Sequence, residues 1–210
     1  MKRRQARHIA AAAFVILTGL GALPSNSNAA EQRAGIFQLN LPPAFTPVTG
    51  VRLDEMRRAL NAGSRGLAQS SGLADPRDVS EKGMSFFAAF RSANGRLTWV
   101  FTGNQIDQPT SIDEMSRTNA ERVRWGIDSG QLKRSSRGVS RATIDGVPCL
   151  LQDIDHASGA RLRTWLCFVP EAPRAHFSVN VICEDAATCE QHWVDVNGVL
   201  RDMKIVRQTR

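Results

Sequence analysis

Residues 147–169 read VPCLLQDIDHASGARLRTWLCFV, and this stretch decides the fold. Two strand-like runs flank the short segment Ala157-Ser158-Gly159. A three-residue hairpin loop needs a final residue in the left-handed backbone conformation, and glycine adopts that conformation without steric cost. The loop therefore predicts an antiparallel β-hairpin in which the numbers of paired residues sum to 316.

Six pairs across this predicted ladder are chemically complementary, because carboxylates face arginines, apolar residues face apolar residues and a cysteine faces a cysteine, while His156 near the loop faces Ala160. The pairs on one face are Asp155–Arg161, Asp153–Arg163, Leu151–Trp165 and Cys149–Cys167, and those on the other face are Ile154–Leu162 and Leu150–Leu166. Apolar pairs on both faces indicate a sheet that is covered on both sides. This favours helices on each face over a sandwich of two sheets.

The loop end of the hairpin also contains residue types that bind metals, namely Asp153, Asp155 and His156. Successive side chains of a strand point to opposite faces, so His156 lies on the other side of the strand from both aspartates. Each aspartate also faces an arginine across the ladder. The pattern therefore predicts two structural ion pairs, worth about 0.2–1 kcal/mol each if exposed, and no metal site.

The remaining elements are predicted from hydrophobic periodicity and turn signals. Strands are expected over residues 36–41, 84–91, 96–102, 139–144 and 175–183, and helices over 52–69, 111–127 and 189–203. Ser111 is a good N-cap for the second helix, and Glu114 three residues later is typical of a capping box. The order predicts an α+β fold, a mostly antiparallel sheet of six to seven strands flanked by helices on both faces.

The first 29 residues have the features of a secretory signal peptide. Four cationic residues precede the apolar run from Ile9 to Leu23, and small residues follow, so cleavage is expected near Ala29–Ala30. The expected mature chain is one domain of residues 30–210 in the periplasm or outside the cell. It has 23 basic and 20 acidic residues, a net charge of +3 instead of the +7 of the full chain. This small excess does not favour a nucleic-acid partner.

The four cysteines predict two disulfides in an exported chain. The hairpin register places Cys149 opposite Cys167, with Cα atoms expected about 4.5–5.5 Å apart. The loop before residues 175–183 gives a second register that sums to about 344, which places Cys183 about 20 Å along the strand from Cys167. Cys183 therefore pairs with Cys189, six residues later.

No motif of a metalloprotease, a serine hydrolase, a phosphate-binding loop or a dinucleotide-binding fold occurs in the sequence, and we nominate no catalytic residue and no cofactor. A local excess of basic residues lies between residues 117 and 141. It is interpreted either as a solvated helix face or as a contact patch for an anionic partner or lipid headgroups. The candidate partner-binding residues are Trp125, Arg117, Arg122, Arg124, Arg134 and Arg137.

Three features of the chain resemble the PsbP-like α/β/α fold: a first strand ending in Leu41-Pro42-Pro43, the IDGVPCLLQDID strand pair of residues 144–155, and a closing helix and short strand with the sequence LRDMKIV. This fold occurs in the photosystem II extrinsic subunit, in Ran-binding Mog-type proteins and in small bacterial envelope proteins. The resemblance implies the fold and, because most members are binding or accessory modules, a non-enzymatic role.

Three functions follow as hypotheses. The first is an exported binding module that docks a partner protein or a small ligand on the sheet edge or beside the second helix. The second is an immunity-type protein that neutralises a toxin in the periplasm. The third is a small hydrolase, which would need distant residues such as His176, Glu184 and Asp185 to meet in one cleft.

Overall fold

The computed structural model of the chain describes residues 31–58, 84–106 and 108–206. The predicted leader of residues 1–29 lies outside these ranges, as does the second half of the helix predicted over 52–69. The part of that helix that is described covers residues 50–58.

Most of the described chain is β-structure. The strands are β1 (Glu31–Ala34), β2 (Phe37–Asn40), β3 (Phe45–Pro47), β4 (Met84–Ser92), β5 (Leu97–Gln105), β6 (Gly138–Ile144), β7 (Val147–Asp155), β8 (Arg161–Cys167), β9 (Ala175–Cys183) and β10 (Lys204–Ile205). The helices are α1 (50–58), α2 (Ile112–Asp128), α3 (Ala186–Gln191) and α4 (Trp193–Asp202). Seven strands form one antiparallel sheet in the order β3-β4-β5-β9-β8-β7-β6.

The predicted hairpin of β7 and β8 is confirmed with its register. Asp155 pairs with Arg161, Asp153 with Arg163, and every other pair also sums to 316. The register between β8 and β9 is confirmed as well, because Arg161 pairs with Cys183 and the pairs sum to 344. Short loops with suitable glycine and proline residues set both registers, which is why local sequence was sufficient to predict them.

Helices cover both faces of the large sheet, as predicted. On one face, Leu53 and Met56 of α1 pack against a buried cluster formed by Val48, Ala89 and Val100, and α2 packs against β6 and β7. The opposite face is covered by α3, α4 and a three-stranded sheet in the order β1-β2-β10. Phe37 of this small sheet packs on Phe101 with ring centroids 5.6 Å apart. The small sheet was not predicted, because β1 and β10 have only four and two residues.

Two helix predictions have different outcomes. Helix α2 begins after Ser111, whose side chain accepts a hydrogen bond from the Glu114 N–H as the predicted cap requires. The continuous helix predicted over 189–203 is wrong, because the chain breaks at His192 into α3 and α4. The break leaves α3 attached to the end of β9 through a disulfide, while Trp193 of α4 stacks on Trp165 at 6.2 Å.

Both predicted disulfides are present. Cys149 and Cys167 are bonded with Cα atoms 4.0 Å apart, closer than expected, and the Cα atoms of Cys183 and Cys189 are 5.5 Å apart. Disulfides persist where the surroundings are oxidising, so they indicate an extracytoplasmic location. Within the described residues, no helix has the length and apolar character needed to cross a membrane.

Candidate functional site

Four buried charged residues at the loop end of the β7–β8 hairpin form a network with the half-exposed Glu190 of α3, and we call the five residues the hairpin-tip cluster. Its members are Asp153, Asp155, Arg161, Arg163 and Glu190. The two predicted ion pairs are present, and the four hairpin side chains are at most 9% exposed, so the energy expected for exposed pairs does not apply to them. Burial makes the loss of any one partner more costly than at a surface.

Glu190 of α3 completes this cluster and was not predicted from the sequence. Its carboxylate accepts hydrogen bonds from Arg161 at 2.6 Å and from Arg163 at 3.0 Å. The guanidinium of Arg163 also lies 3.8 Å from the centroid of the Trp193 ring, a favourable cation–π geometry. These contacts attach α3 and α4 to the hairpin, so the cluster has a structural role.

His156 does not join the two aspartates. It lies on the opposite face of the strand, and its Nδ1 is 2.8 Å from the Ser158 hydroxyl. Asp155 accepts two hydrogen bonds from Arg161, which are the largest cause that holds its pKa at about 2. The described residues contain no group of three or more His, Cys, Asp or Glu side chains suited to a metal ion.

The residues suggested for a hydrolase are far apart. His176 and Glu184 are separated by eight positions along and just beyond β9, or about 26 Å of extended chain. Glu184 and Asp185 both pair with Arg96, at 2.7 and 3.0 Å. His176 is buried against Phe168, with ring centroids 4.8 Å apart, and burial lowers its pKa. These three residues therefore form no common cleft.

The predicted partner-binding residues fall on two elements. Arg117 and Arg124 are exposed on α2, where Arg122 and Trp125 are half-buried, while Arg134 and Arg137 are exposed in the loop before β6. Helix α2 itself contains four acidic and three basic residues, so it is not a basic surface. The basic excess is concentrated instead in residues 129–137, which we call the basic loop.

The basic loop leads directly into β6, the outermost strand of the large sheet. Among the described residues β6 pairs only with β7. Thr143 lies opposite Pro148, which has no N–H and whose carbonyl accepts a hydrogen bond from the Phe168 N–H on the β8 side, so this pair exchanges no ladder hydrogen bonds. Because bonded and non-bonded pairs alternate, Val139 and Arg141 are also in non-bonded pairs. The N–H and C=O groups of Val139, Arg141 and Thr143 therefore point outward from the sheet.

The two outer strands of the sheet differ in how well they are protected. Strand β3 has three residues and ends at Pro47, and short length and proline are common ways to block an edge. Strand β6 has seven residues and no proline. Its single charged residue, Arg141, is bonded to Asp113 of α2. Within residues 31–58, 84–106 and 108–206, no strand therefore occupies the outer side of β6, which leaves this edge available to another extended chain.

The structure also has a shallow groove of about 750 Å³ beside α4. Val194, whose exposed fraction is 81%, and Gly198 line one side, and Leu41 and Pro42 line the other. The polar side chains that line the groove are all exposed to solvent. This arrangement supplies no buried group to orient a ligand.

The fold is similar to that of PsbP. The solution structure of cyanobacterial PsbP (CyanoP) from Synechocystis sp. PCC 6803 matches with a TM-score of 0.50 and 8% sequence identity, over 89% of this chain and 98% of that chain. At this identity the match shows the fold alone and confirms the PsbP-like resemblance. No protein-family model matches the sequence, and no curated protein matches it.

Proposed function

We propose that this protein is an exported, non-enzymatic binding module of the cell envelope that docks an extended segment of a partner protein on the β6 edge. The observation that carries the proposal is a seven-residue outer strand whose outward backbone groups have no partner among the described residues. Such an edge pairs readily with an added strand, in which backbone hydrogen bonds supply affinity.

The scaffold around this edge is suited to binding. The neighbouring strands β7 and β8 are joined by the Cys149–Cys167 disulfide, and α2 supports β6 from one face. A pre-formed strand loses little conformational entropy when a partner pairs with it. The edge therefore needs no rearrangement to accept a strand.

The charged groups favour binding over catalysis. In the hairpin-tip cluster, each carboxylate is within 3.1 Å of an arginine nitrogen. A general acid or base needs a group free to exchange a proton with a substrate. The leader-like first 29 residues and the two disulfides support export.

A proline substitution at Thr143 tests the proposal. The Thr143 N–H points outward, so proline removes a donor from the edge without removing a hydrogen bond to β7. Thr143→Ala is the matched control, because it changes the side chain and keeps the N–H. Mature wild-type protein and both variants would be used to capture partners from native envelope extract, with circular dichroism to verify folding.

We expect a partner that is captured by the wild type and by Thr143→Ala and is lost with Thr143→Pro. Capture of the same proteins in the same amounts by all three would show that the β6 edge is not the binding surface. Amide hydrogen exchange gives an independent measurement, because a docked strand should protect Val139, Arg141 and Thr143.

A further inference from the structure

Charge around the β6 edge indicates the chemistry of the segment that it accepts. Residues 129–144, which comprise the basic loop and β6, contain four basic residues and no acidic residue. The four are Lys133, Arg134, Arg137 and Arg141. The charge of Arg141 is neutralised by Asp113. The remaining three basic side chains are exposed and lie together in the loop that leads into β6.

The hairpin-tip cluster lies beside these residues and does not cancel their charge. Arg137 is at the limit of an ion pair with Asp153 at 3.9 Å and with Glu190 at 4.0 Å, because closer arginines already engage both carboxylates. The basic side chains here outnumber the acidic ones by two. They are Lys133, Arg134, Arg137, Arg161 and Arg163 against Asp153, Asp155 and Glu190.

We propose that the segment docked on β6 is an acidic, extended stretch of another polypeptide. Its backbone pairs with the outward groups of Val139, Arg141 and Thr143. Its Asp or Glu side chains lie against the three exposed cations at the start of β6. This inference rests on the proposed function and adds the charge of the partner segment.

A second copy of the chain fits this edge less well. Antiparallel pairing of two β6 strands that uses all three outward residues places Arg141 directly opposite Arg141, with Val139 opposite Thr143. The β6 strand of a second copy also contains no acidic residue to face the three exposed cations at the start of β6. The Asp145 carboxylate, which would then approach Arg137, is already bonded to Lys204 and to the Ile205 N–H.

Two fluorescein-labelled peptides of about seven residues test the inference. Both have a central segment of alternating Thr and Val. The Glu peptide has two Glu residues at each end, and the Lys peptide has two Lys residues at each end. Binding to the full mature protein is measured by anisotropy at low and physiological salt. We expect the Glu peptide to bind about tenfold more tightly than the Lys peptide, a difference of about 1.4 kcal/mol. Raising the salt should reduce that preference.

Two substitutions locate the interaction. Arg134→Ala should weaken binding of the Glu peptide by about threefold and leave the Lys peptide unaffected or slightly tighter. Arg201→Ala is the control, because Arg201 is an exposed arginine on α4. Thr143→Pro should weaken binding of both peptides, because it removes a backbone donor common to them.

The outcomes separate this inference from the proposed function. Equal affinity for both peptides, or binding too weak to measure for both, overturns the inference that the partner segment is acidic. Docking of a partner on the β6 edge is then still tested by the capture experiment with Thr143→Pro. Glu-peptide binding that Thr143→Pro does not change overturns docking on the edge itself. A dimer of the wild type that Thr143→Pro dissociates, or anionic vesicle binding that survives Thr143→Pro, would show a different occupant.

Discussion

Asp155→Asn is the perturbation that best tests the hairpin-tip cluster. The Asp155 side chain is 5% exposed, and Arg161 donates to its two oxygens at 2.6 and 3.0 Å. The Ser135 hydroxyl also donates to it. The Arg161 hydrogen bond is the largest cause that lowers the pKa of Asp155, and burial acts in the opposite direction. Asparagine keeps the shape of the side chain and removes the charge.

The expected loss follows from the pKa of Asp155. A shift from 3.8 to about 2, at about 1.4 kcal/mol per unit, makes the ionised carboxylate worth about 2 kcal/mol to the folded state. The full cost of breaking a buried pair is higher, about 3–5 kcal/mol. Arg161 keeps Glu190 at 2.6 Å, so the smaller figure is expected.

The sign of the pH dependence is set by the lowered pKa. Stability from Asp155 is fully present above the unfolded pKa of about 3.8 and is lost as the pH falls toward the folded value of about 2. The difference between wild type and Asp155→Asn should therefore be about 2 kcal/mol at pH 7, begin to shrink near pH 4 and nearly vanish near pH 2. Urea unfolding followed by tryptophan fluorescence measures this difference.

Glu184→Gln is the matched control for burial. Glu184 also accepts a hydrogen bond from an arginine, Arg96 at 2.7 Å, but its side chain is 63% exposed. This control should lose less than about 1 kcal/mol. A loss in Asp155→Asn that is as small as in the control, or that is the same at pH 7 and near pH 2, would refute the reasoning.

The remaining predictions concern the second disulfide, the α2 cap and export. The Cys183→Ser/Cys189→Ser double variant should lower the free energy of unfolding by about 2 kcal/mol, the chain-entropy value for this short loop, in the same urea assay. A loss below about 0.5 kcal/mol would contradict it. Ser111→Ala should cost about 1 kcal/mol, with a smaller effect expected from Ser111→Asp, which also caps. Mass spectrometry of the envelope form should find an N-terminus near Ala29–Ala30, and a chain that retains its first residues would contradict export by cleavage.

Local patterns were sufficient to predict the paired strands. The loop at Gly159 and the turn before β9 each bring neighbouring segments together, so register and disulfides follow from residues close in sequence. The Ser111 cap is a similarly local signal. Each of these predictions needed only the known geometry of a turn or a helix end.

Contacts between distant segments were not predictable in this way. Glu190 is 27 positions from Arg163 in the sequence. It lies on α3, a short helix that ends before His192 and was not predicted as a separate element. The hairpin ion pairs were predicted from local pairing, but their burial was not, because Glu190 and Trp193, which contact the arginines, are distant in sequence. The role of β6 as the outer strand likewise depends on the order of all seven strands.

A binding surface made of backbone groups leaves little trace in a sequence. Every residue except proline supplies the same N–H and C=O, so an edge strand needs no motif and requires mainly that proline be absent at outward positions. This is consistent with a chain in which no catalytic or cofactor motif occurs and in which β6 still offers three outward residues. In the proposed docking on β6, specificity must come from nearby side chains, and the exposed cations of the basic loop lie next to this edge.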